Sequence, residues 1–221
     1  MEKDPLLGER TGDHLCEISE YIMKRLSNCI LSNKKASEKD NEFFLKVCLL
    51  QDMNPSYFEI PPSLYNSDVL EISINLLRLY DKSKTPREKL NCIIDSFNTL
   101  STAYALSNEK GEAASADVML QLFSYIVLKA KLERSWTNLM FIKSFLYIDG
   151  EFFGENAYCL GKLEITFELL SRLAQNAGPS DGGNSEFVMN VMESSLKNEN
   201  FFSSVRDISS TRLTRTASFL Q

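Results

Sequence analysis

The feature that most constrains the fold of this chain is the spacing of its apolar residues, which recur every three or four positions along most of its length. That spacing places apolar side chains on one face of an α-helix. We find no stretch with the strict alternation of apolar and polar residues that is typical of a half-buried strand. Glycine and proline number only 9 and 6 among 221 residues, too few for a turn-dense β-protein. The sequence therefore predicts an all-α protein.

The periodic pattern divides the chain into separate helices, some with clear start signals. Thr85, Pro86 and Glu88 form a capping pattern, and Ser115 can cap the helix that follows it. The segment 117–131 is apolar nearly all round, which is typical of a helix in the middle of a bundle. The predicted helices cover residues 13–31, 42–53, 67–80, 86–104, 117–131, 136–145 and 158–175, with a short further helix at 186–196.

Polar segments between the helices indicate loops and boundaries. The charged stretch 32–41 is predicted as a loop, and Gly150 and Gly154 favour a loop over 147–157. We expect four regions: a flexible N-terminus (1–12), an N-terminal helical hairpin as support (13–59), a layered helical core (60–175), and a linker, short helix and disordered tail (176–221).

Composition excludes several classes of function. The net charge is −6 and no basic stripe is present, so nucleic-acid binding is not expected. The single histidine, His14, cannot build a His-rich metal site. It is either a surface residue at a helix start or a general base. No apolar run approaches the about 18 residues of a membrane span, and no signal peptide is evident. We expect a cytoplasmic protein.

The five cysteines and the missing catalytic motifs also argue against covalent chemistry. No CxxC pair exists, and the cysteines lie among apolar residues, which predicts buried thiols in a reducing compartment. Phosphate-binding glycine loops, metalloprotease motifs and serine-hydrolase motifs are absent. The sequence predicts no metal and no cofactor, and it favours a binding or regulatory module.

Three segments have an order and spacing that together point to one family. They read ADVMLQLFSYIVLKA (116–130), SWTNLMFIKSF (135–145) and GENAYCLGKLEITFELL (154–170), and TPREKL (85–90) fits upstream of them. Together they resemble the Vps-nine domain, the catalytic module of exchange factors for Rab-five-type endosomal GTPases. The resemblance covers residues 60–173 and implies a layered helical Vps-nine-type core.

The resemblance implies roles for two residues. Asp117 matches the acidic finger of the family, which enters the nucleotide pocket of the GTPase and displaces magnesium and phosphate without any covalent step. Tyr158 matches the tyrosine that contacts the GTPase switch region. Without this context, Asp117 is an acid in an early helical turn, and Tyr158 is an aromatic residue at a rim.

Three further positions are expected at the GTPase-binding surface. Gln121 stands where the family usually has proline, and Gly161 stands where it usually has threonine. Asn138 matches an Asn-Leu pair of the family and is equally suited to capping a helix. The two departures leave open a second function, a Rab-binding scaffold or effector that has lost exchange. A helical adaptor without a GTPase partner is the third alternative.

The resemblance also implies partners and a place of action. The expected partner is a Rab-five-subfamily small GTPase, and the expected function is release of its GDP in endosomal vesicle trafficking. We expect recruitment to endosomes, with contact to the membrane only through partners. Whether such a regulator is counted as an enzyme is left open, because it makes and breaks no covalent bond.

Overall fold

A computed structural model describes residues 5–31, 34–65, 68–107, 113–145 and 154–176. Regular structure in these ranges is entirely helical, so the predicted all-α fold is confirmed. The predicted helix at 186–196 and the tail lie outside the described residues. The elements are α1 (Pro5–Ile30), α2 (Lys34–Leu50), a 3-10 turn (Pro55–Phe58), α3 (Pro62–Tyr65), α4 (Asp68–Lys82), α5 (Pro86–Ser107), α6 (Ala116–Ala130), α7 (Ser135–Phe145) and α8 (Glu155–Asn176).

Helix α6 lies at the centre of the core, as its apolar composition predicts. It packs against α4, α5 and α8, and the side chains from Met119 to Leu128 are buried except for Tyr125, which is half-buried. Helices α4 and α5 pack side by side because only three residues join them. The predicted cap of α5 is present: Thr85 Oγ1 accepts the Glu88 N–H at 3.1 Å, and Glu88 Oε2 accepts the Thr85 N–H at 3.3 Å.

The predicted N-terminal helical hairpin is not confirmed. Helix α2 packs on α7 and α8. Helix α1 is joined to the start of α5 by two ion pairs, Lys24–Glu88 at 3.1 Å and Glu20–Arg87 at 3.8 Å. Ile18, Ile22 and Leu26, which the periodicity places on an apolar face, are exposed. The periodicity defines an apolar face, but it does not say whether another element covers that face.

Three helices begin three or more residues earlier than the sequence predicts. Helix α1 begins at Pro5 rather than at residue 13, and α8 begins at Glu155 rather than at residue 158. Helix α2 begins at Lys34, inside the segment predicted as a loop. Lysine, alanine and glutamate are good helix formers, so a charged segment of this kind can form a solvated helix.

No helix within the described ranges is long and apolar enough to cross a membrane.

The expectation of buried cysteines holds only in part. Cys159 is buried, Cys48 and Cys92 are half-buried, and Cys29 is exposed on α1. The exposure of Cys29 follows from the position of α1, whose apolar side chains at Ile18, Ile22 and Leu26 are also exposed. These four cysteines form no disulfide.

The start of α7 is held by a carboxylate from another helix. Asp40 of α2 is buried and accepts the backbone N–H groups of Trp136 at 2.8 Å and Thr137 at 3.0 Å. It also accepts the Thr137 hydroxyl. These N–H groups have no partner within their own helix, and a carboxylate is favoured at the positive end of the helix dipole. Asp40 therefore joins the N-terminal support to the core.

We expect Asp40→Ala to lower the free energy of unfolding by about 3 kcal/mol, because it leaves buried donors at the start of α7 without an acceptor. Urea unfolding followed by circular dichroism measures this loss. Glu38→Ala is the matched control, since it removes an exposed acid from the same helix and should leave the midpoint close to that of the wild type. Equal midpoints for the two variants would contradict the proposed role of Asp40.

Candidate functional site

Asp117 lies at the N-terminal end of the central helix and is open to solvent. It is the second residue of α6, and Ser115 caps that helix by accepting the Val118 N–H on its Oγ at 3.3 Å. The Asp117 side chain is exposed, whereas the helix is buried from Met119 onward. The cap stabilises the start of the helix, and the helix dipole favours a negative charge there. The fold thus presents one carboxylate at the point where the central helix reaches the surface.

Tyr158 lies in the first turn of α8 and is held by aromatic packing. Gly154 precedes the helix with a φ of 63°, in the left-handed region that favours glycine, and its carbonyl accepts the Tyr158 N–H at 3.1 Å. The Tyr158 ring meets Phe97 of α5 edge to face at 5.6 Å, and Phe97 meets Phe123 of α6 at 5.7 Å. Tyr158 as a residue is 45% exposed, so part of it remains available to a partner.

Burial favours the neutral forms of two groups in this turn, the Tyr158 hydroxyl and the Cys159 thiol. Desolvation, together with the neighbouring Cys159, raises the pKa of the Tyr158 hydroxyl above 10.0, so near neutral pH it can donate a hydrogen bond. Burial, with a smaller effect of Glu155, raises the pKa of the Cys159 thiol to about 12. Cys159 is therefore a packing residue and not a nucleophile, because thiolate is the reactive form.

Lys162 lies beside both predicted catalytic residues. Its ammonium donates to the Ala116 carbonyl at 3.3 Å and lies 5.5 Å from the centre of the Tyr158 ring. Asp117 attracts the same ammonium, although desolvation is the larger effect and lowers the pKa of Lys162. The structure thus brings Asp117 and Tyr158 to one place, around a lysine that is only 8% exposed.

Gln121 follows Asp117 by one helical turn, on the same side of α6. It is 4% exposed, and its amide donates to Glu59 Oε2 at 3.2 Å. Glu59 follows the 3-10 turn with a φ of 50°, which is strained for a residue with a side chain, and it is exposed. At this position the surface therefore presents the Glu59 carboxylate, with Gln121 beneath it.

Gly161 and Asn138 have different surroundings. Gly161 is half-buried, one turn after Tyr158, and so belongs to the same surface. Asn138 is fully buried, and its amide donates to Asp81 Oδ1 at 2.8 Å. The other Asp81 oxygen accepts the Glu133 N–H at 2.6 Å. The predicted role of Asn138 as a surface contact does not fit this burial; its bond to Asp81 instead fixes the start of α7 against α4.

Sequence reasoning missed three residues of this site: Glu59, Phe97 and Lys162. Lys162 could have been noticed because it follows Tyr158 by four residues, which places both on one side of a helix. Glu59 and Phe97 carry no such local signal, since they reach the site from other elements.

No cluster of His, Cys, Asp or Glu among the described residues could hold a metal ion. His14 is exposed on α1, 3.6 Å from Glu17.

Comparison with known proteins places Asp117 and Tyr158 inside a recognised domain. The family model of the Vacuolar sorting protein 9 (VPS9) domain matches residues 69–175, which include Asp117 and Tyr158. The chain is 29% identical over 156 residues to Vacuolar protein sorting-associated protein 9A of Arabidopsis thaliana, covering 68% of this chain and 29% of that protein.

Two animal proteins are also similar. The chain is 25% identical over 173 residues to the Rab5 GDP/GTP exchange factor of Homo sapiens and, to the same extent, to that of Bos taurus. These matches cover 75% of this chain and 34% of each relative. The chain therefore spans about a third of the length of the curated relatives that it matches.

We expect the pKa of the Tyr158 hydroxyl to lie above 10.0, because its partly buried position penalises the charged tyrosinate form. The measurement is a pH titration of tyrosinate ultraviolet absorbance for wild type and Tyr158→Phe, whose difference isolates this group. Thermal melts should first establish that the variant is folded. A difference curve with its midpoint at or below pH 10.0 would contradict this prediction. It would show that the ring is more hydrated than its packing on Phe97 implies.

Proposed function

Residues 69–175 of this chain belong to the VPS9 domain family, and on this basis we propose that the protein is a guanine-nucleotide exchange factor for a small GTPase of the Rab5 subfamily. The exposed Asp117 at a capped helix start, beside Tyr158, carries the proposal. Relatives that bear the name Rab5 GDP/GTP exchange factor support the choice of partner. We further propose that the protein acts at endosomes and reaches their membrane through its partners.

In this proposal Asp117 acts as a charge delivered into the nucleotide pocket of the GTPase. A phosphate-binding pocket is positively charged, so a carboxylate that enters it can pair with a lysine there and replace the negative charge of the phosphates. The same carboxylate weakens the binding of magnesium and nucleotide in the GTPase pocket. The free end of α6 suits this role, because Asp117 is exposed while the rest of the helix is held in the core.

Tyr158 supplies the contact that holds the GTPase while its nucleotide leaves. Its ring offers apolar area and its neutral hydroxyl a hydrogen bond, a combination that is common in binding hot spots. Packing on Phe97 limits the motion of the ring before the partner arrives, which lowers the entropic cost of binding. Gly161 and the Glu59–Gln121 pair would form the neighbouring parts of the contact surface.

We expect Asp117→Ala to slow the release of fluorescent GDP from a responsive Rab5-subfamily GTPase by about a hundredfold, as expected for loss of a charged group that acts on the departing nucleotide. Stopped-flow fluorescence at several concentrations of the protein measures the rate. Asp68→Ala is the matched control: it removes an exposed first-turn acid from α4, and release should stay at the wild-type rate. Unchanged release in Asp117→Ala would reject the role of Asp117.

A second function, GTPase binding without exchange, is favoured by one observation. The family position usually held by proline carries a buried Gln121, with the Glu59 carboxylate over it, so the surface beside Asp117 is more polar and more acidic than the resemblance implies. Loss of a good interface contact costs about 1–2 kcal/mol, or about tenfold or more in affinity. A weakened contact could leave binding intact but exchange slow.

Capture of the GTPase in different nucleotide states separates the two functions. An exchange factor should retain the nucleotide-free GTPase most strongly, because it stabilises the empty pocket, whereas an effector should prefer the GTP-bound form. The immobilised wild-type chain is incubated with nucleotide-free, GDP-loaded and GTP-loaded forms, and bound GTPase is quantified. Preference for the GTP-bound form would exclude exchange as the main activity. No binding to any member of the subfamily would exclude both functions.

A further inference from the structure

Lys162 occupies a position that is costly for a lysine. It lies on α8, is 8% exposed, and desolvation lowers its pKa, which means that burial penalises the charged form. A lysine usually keeps its ammonium in water, even where its methylene chain is buried. The interactions that offset this penalty are therefore informative: Lys162 has two described contacts and an electrostatic attraction to Asp117, and all three involve the candidate site.

The contacts of Lys162 join two different helices. The ammonium donates to the carbonyl of Ala116, the residue before Asp117, at 3.3 Å. It lies 5.5 Å from the centre of the Tyr158 ring, within the range of a cation–π interaction. It is also attracted by Asp117 itself. One cation therefore touches the first turn of α6 and the first turn of α8, each of which carries one site residue.

We propose that Lys162 is a positioning residue, which holds the first turn of α6 against the Tyr158 ring so that Asp117 and Tyr158 meet the GTPase in one fixed arrangement. This inference rests on the proposed exchange function and extends it to a third side chain. The first turn of a helix tends to fray, because its N–H groups lack partners within the helix. A bond from Lys162 to the Ala116 carbonyl restrains that turn from the side, in addition to the Ser115 cap.

The location of the restraint predicts which step depends on it. Docking uses the wider surface around Tyr158, whereas nucleotide release requires the Asp117 carboxylate at one place in the pocket. Loss of the restraint should therefore lower kcat more than it raises KM, because misplacement of a reacting group weakens transition-state stabilisation specifically. A residue that served stability alone would lower the amount of folded protein and leave kcat per folded molecule unchanged.

The experiment compares Lys162→Met and Lys162→Arg with wild type in GDP release from a Rab5-subfamily GTPase. Methionine fills the same space without charge or donor, and we expect it to lower kcat about tenfold, with KM changed by less than about threefold. Arginine keeps a cation that can reach the Ala116 carbonyl, and it should restore at least about a third of the wild-type kcat. Equal kcat values for the methionine variant and wild type, or no restoration by arginine, would overturn the proposal.

The chain offers a matched control at the other end of α6. Lys129 also donates to backbone carbonyls of a neighbouring segment, those of Gln51 at 2.5 Å and Met53 at 3.3 Å, and lies 5.3 Å from the centre of the Tyr125 ring. Lys129→Met removes a comparable set of contacts far along the helix from Asp117. It should lower the melting temperature and leave kcat per folded molecule unchanged. A loss of kcat equal to that of Lys162→Met would overturn the positioning role.

A second measurement tests the restraint without the GTPase and separates this inference from the proposed function. Amide hydrogen exchange of Val118 and Met119, whose N–H groups donate to Ser115, should be at least about tenfold faster in isolated Lys162→Met than in the isolated wild-type chain, because local opening of the turn becomes easier. Unchanged exchange rates there would overturn the inference, whatever the activity. Absence of GDP release by the wild-type chain, together with faster amide exchange in the variant, would reject the proposed function while supporting the restraint by Lys162.

Discussion

Burial of α6 on nearly every side is the constraint on which the rest of the structure depends. Its side chains from Met119 to Leu128 are apolar on nearly all faces, so the helix is stable only when neighbours cover it all round. Helices α4, α5 and α8 supply that cover. A helix held in this way has only its ends for function, and Asp117 stands at the end where the positive helix dipole favours a carboxylate.

Polar contacts between helices then determine how the surrounding elements are placed. Asp40 of α2 accepts the N–H groups that open α7, and Asp81 of α4 accepts the amide of Asn138 on α7. Carboxylates in such positions, the buried Asp40 and the half-buried Asp81, are favourable only when their partners are in place. They therefore define one relative position of α2, α4 and α7, whereas apolar packing alone would tolerate several.

The candidate site combines a rigid frame with groups that remain accessible. The Tyr158 ring rests on Phe97, yet Tyr158 as a residue is exposed, and Asp117 is exposed beside a buried Lys162. An exchange factor that makes no covalent bond lowers the barrier to nucleotide release through complementary shape and correctly placed charge. Both must therefore be present at one site. The proposed function assigns these roles to the two exposed side chains, and the further inference adds the lysine between them.

The sequence by itself determined the helical class, the central place of α6, the Thr85 cap of α5 and, through the ordered motif, the pairing of Asp117 with Tyr158. These properties depend on neighbours within a few residues, or on motifs that are read along the chain. Tertiary structure alone decided that α1 exposes Ile18, Ile22 and Leu26, that Asn138 is buried, and that Glu59, Phe97 and Lys162 complete the site. The physical reason is that a helical period determines which side chains share a face, whereas contacts between residues far apart in sequence determine what covers that face and which charges meet there.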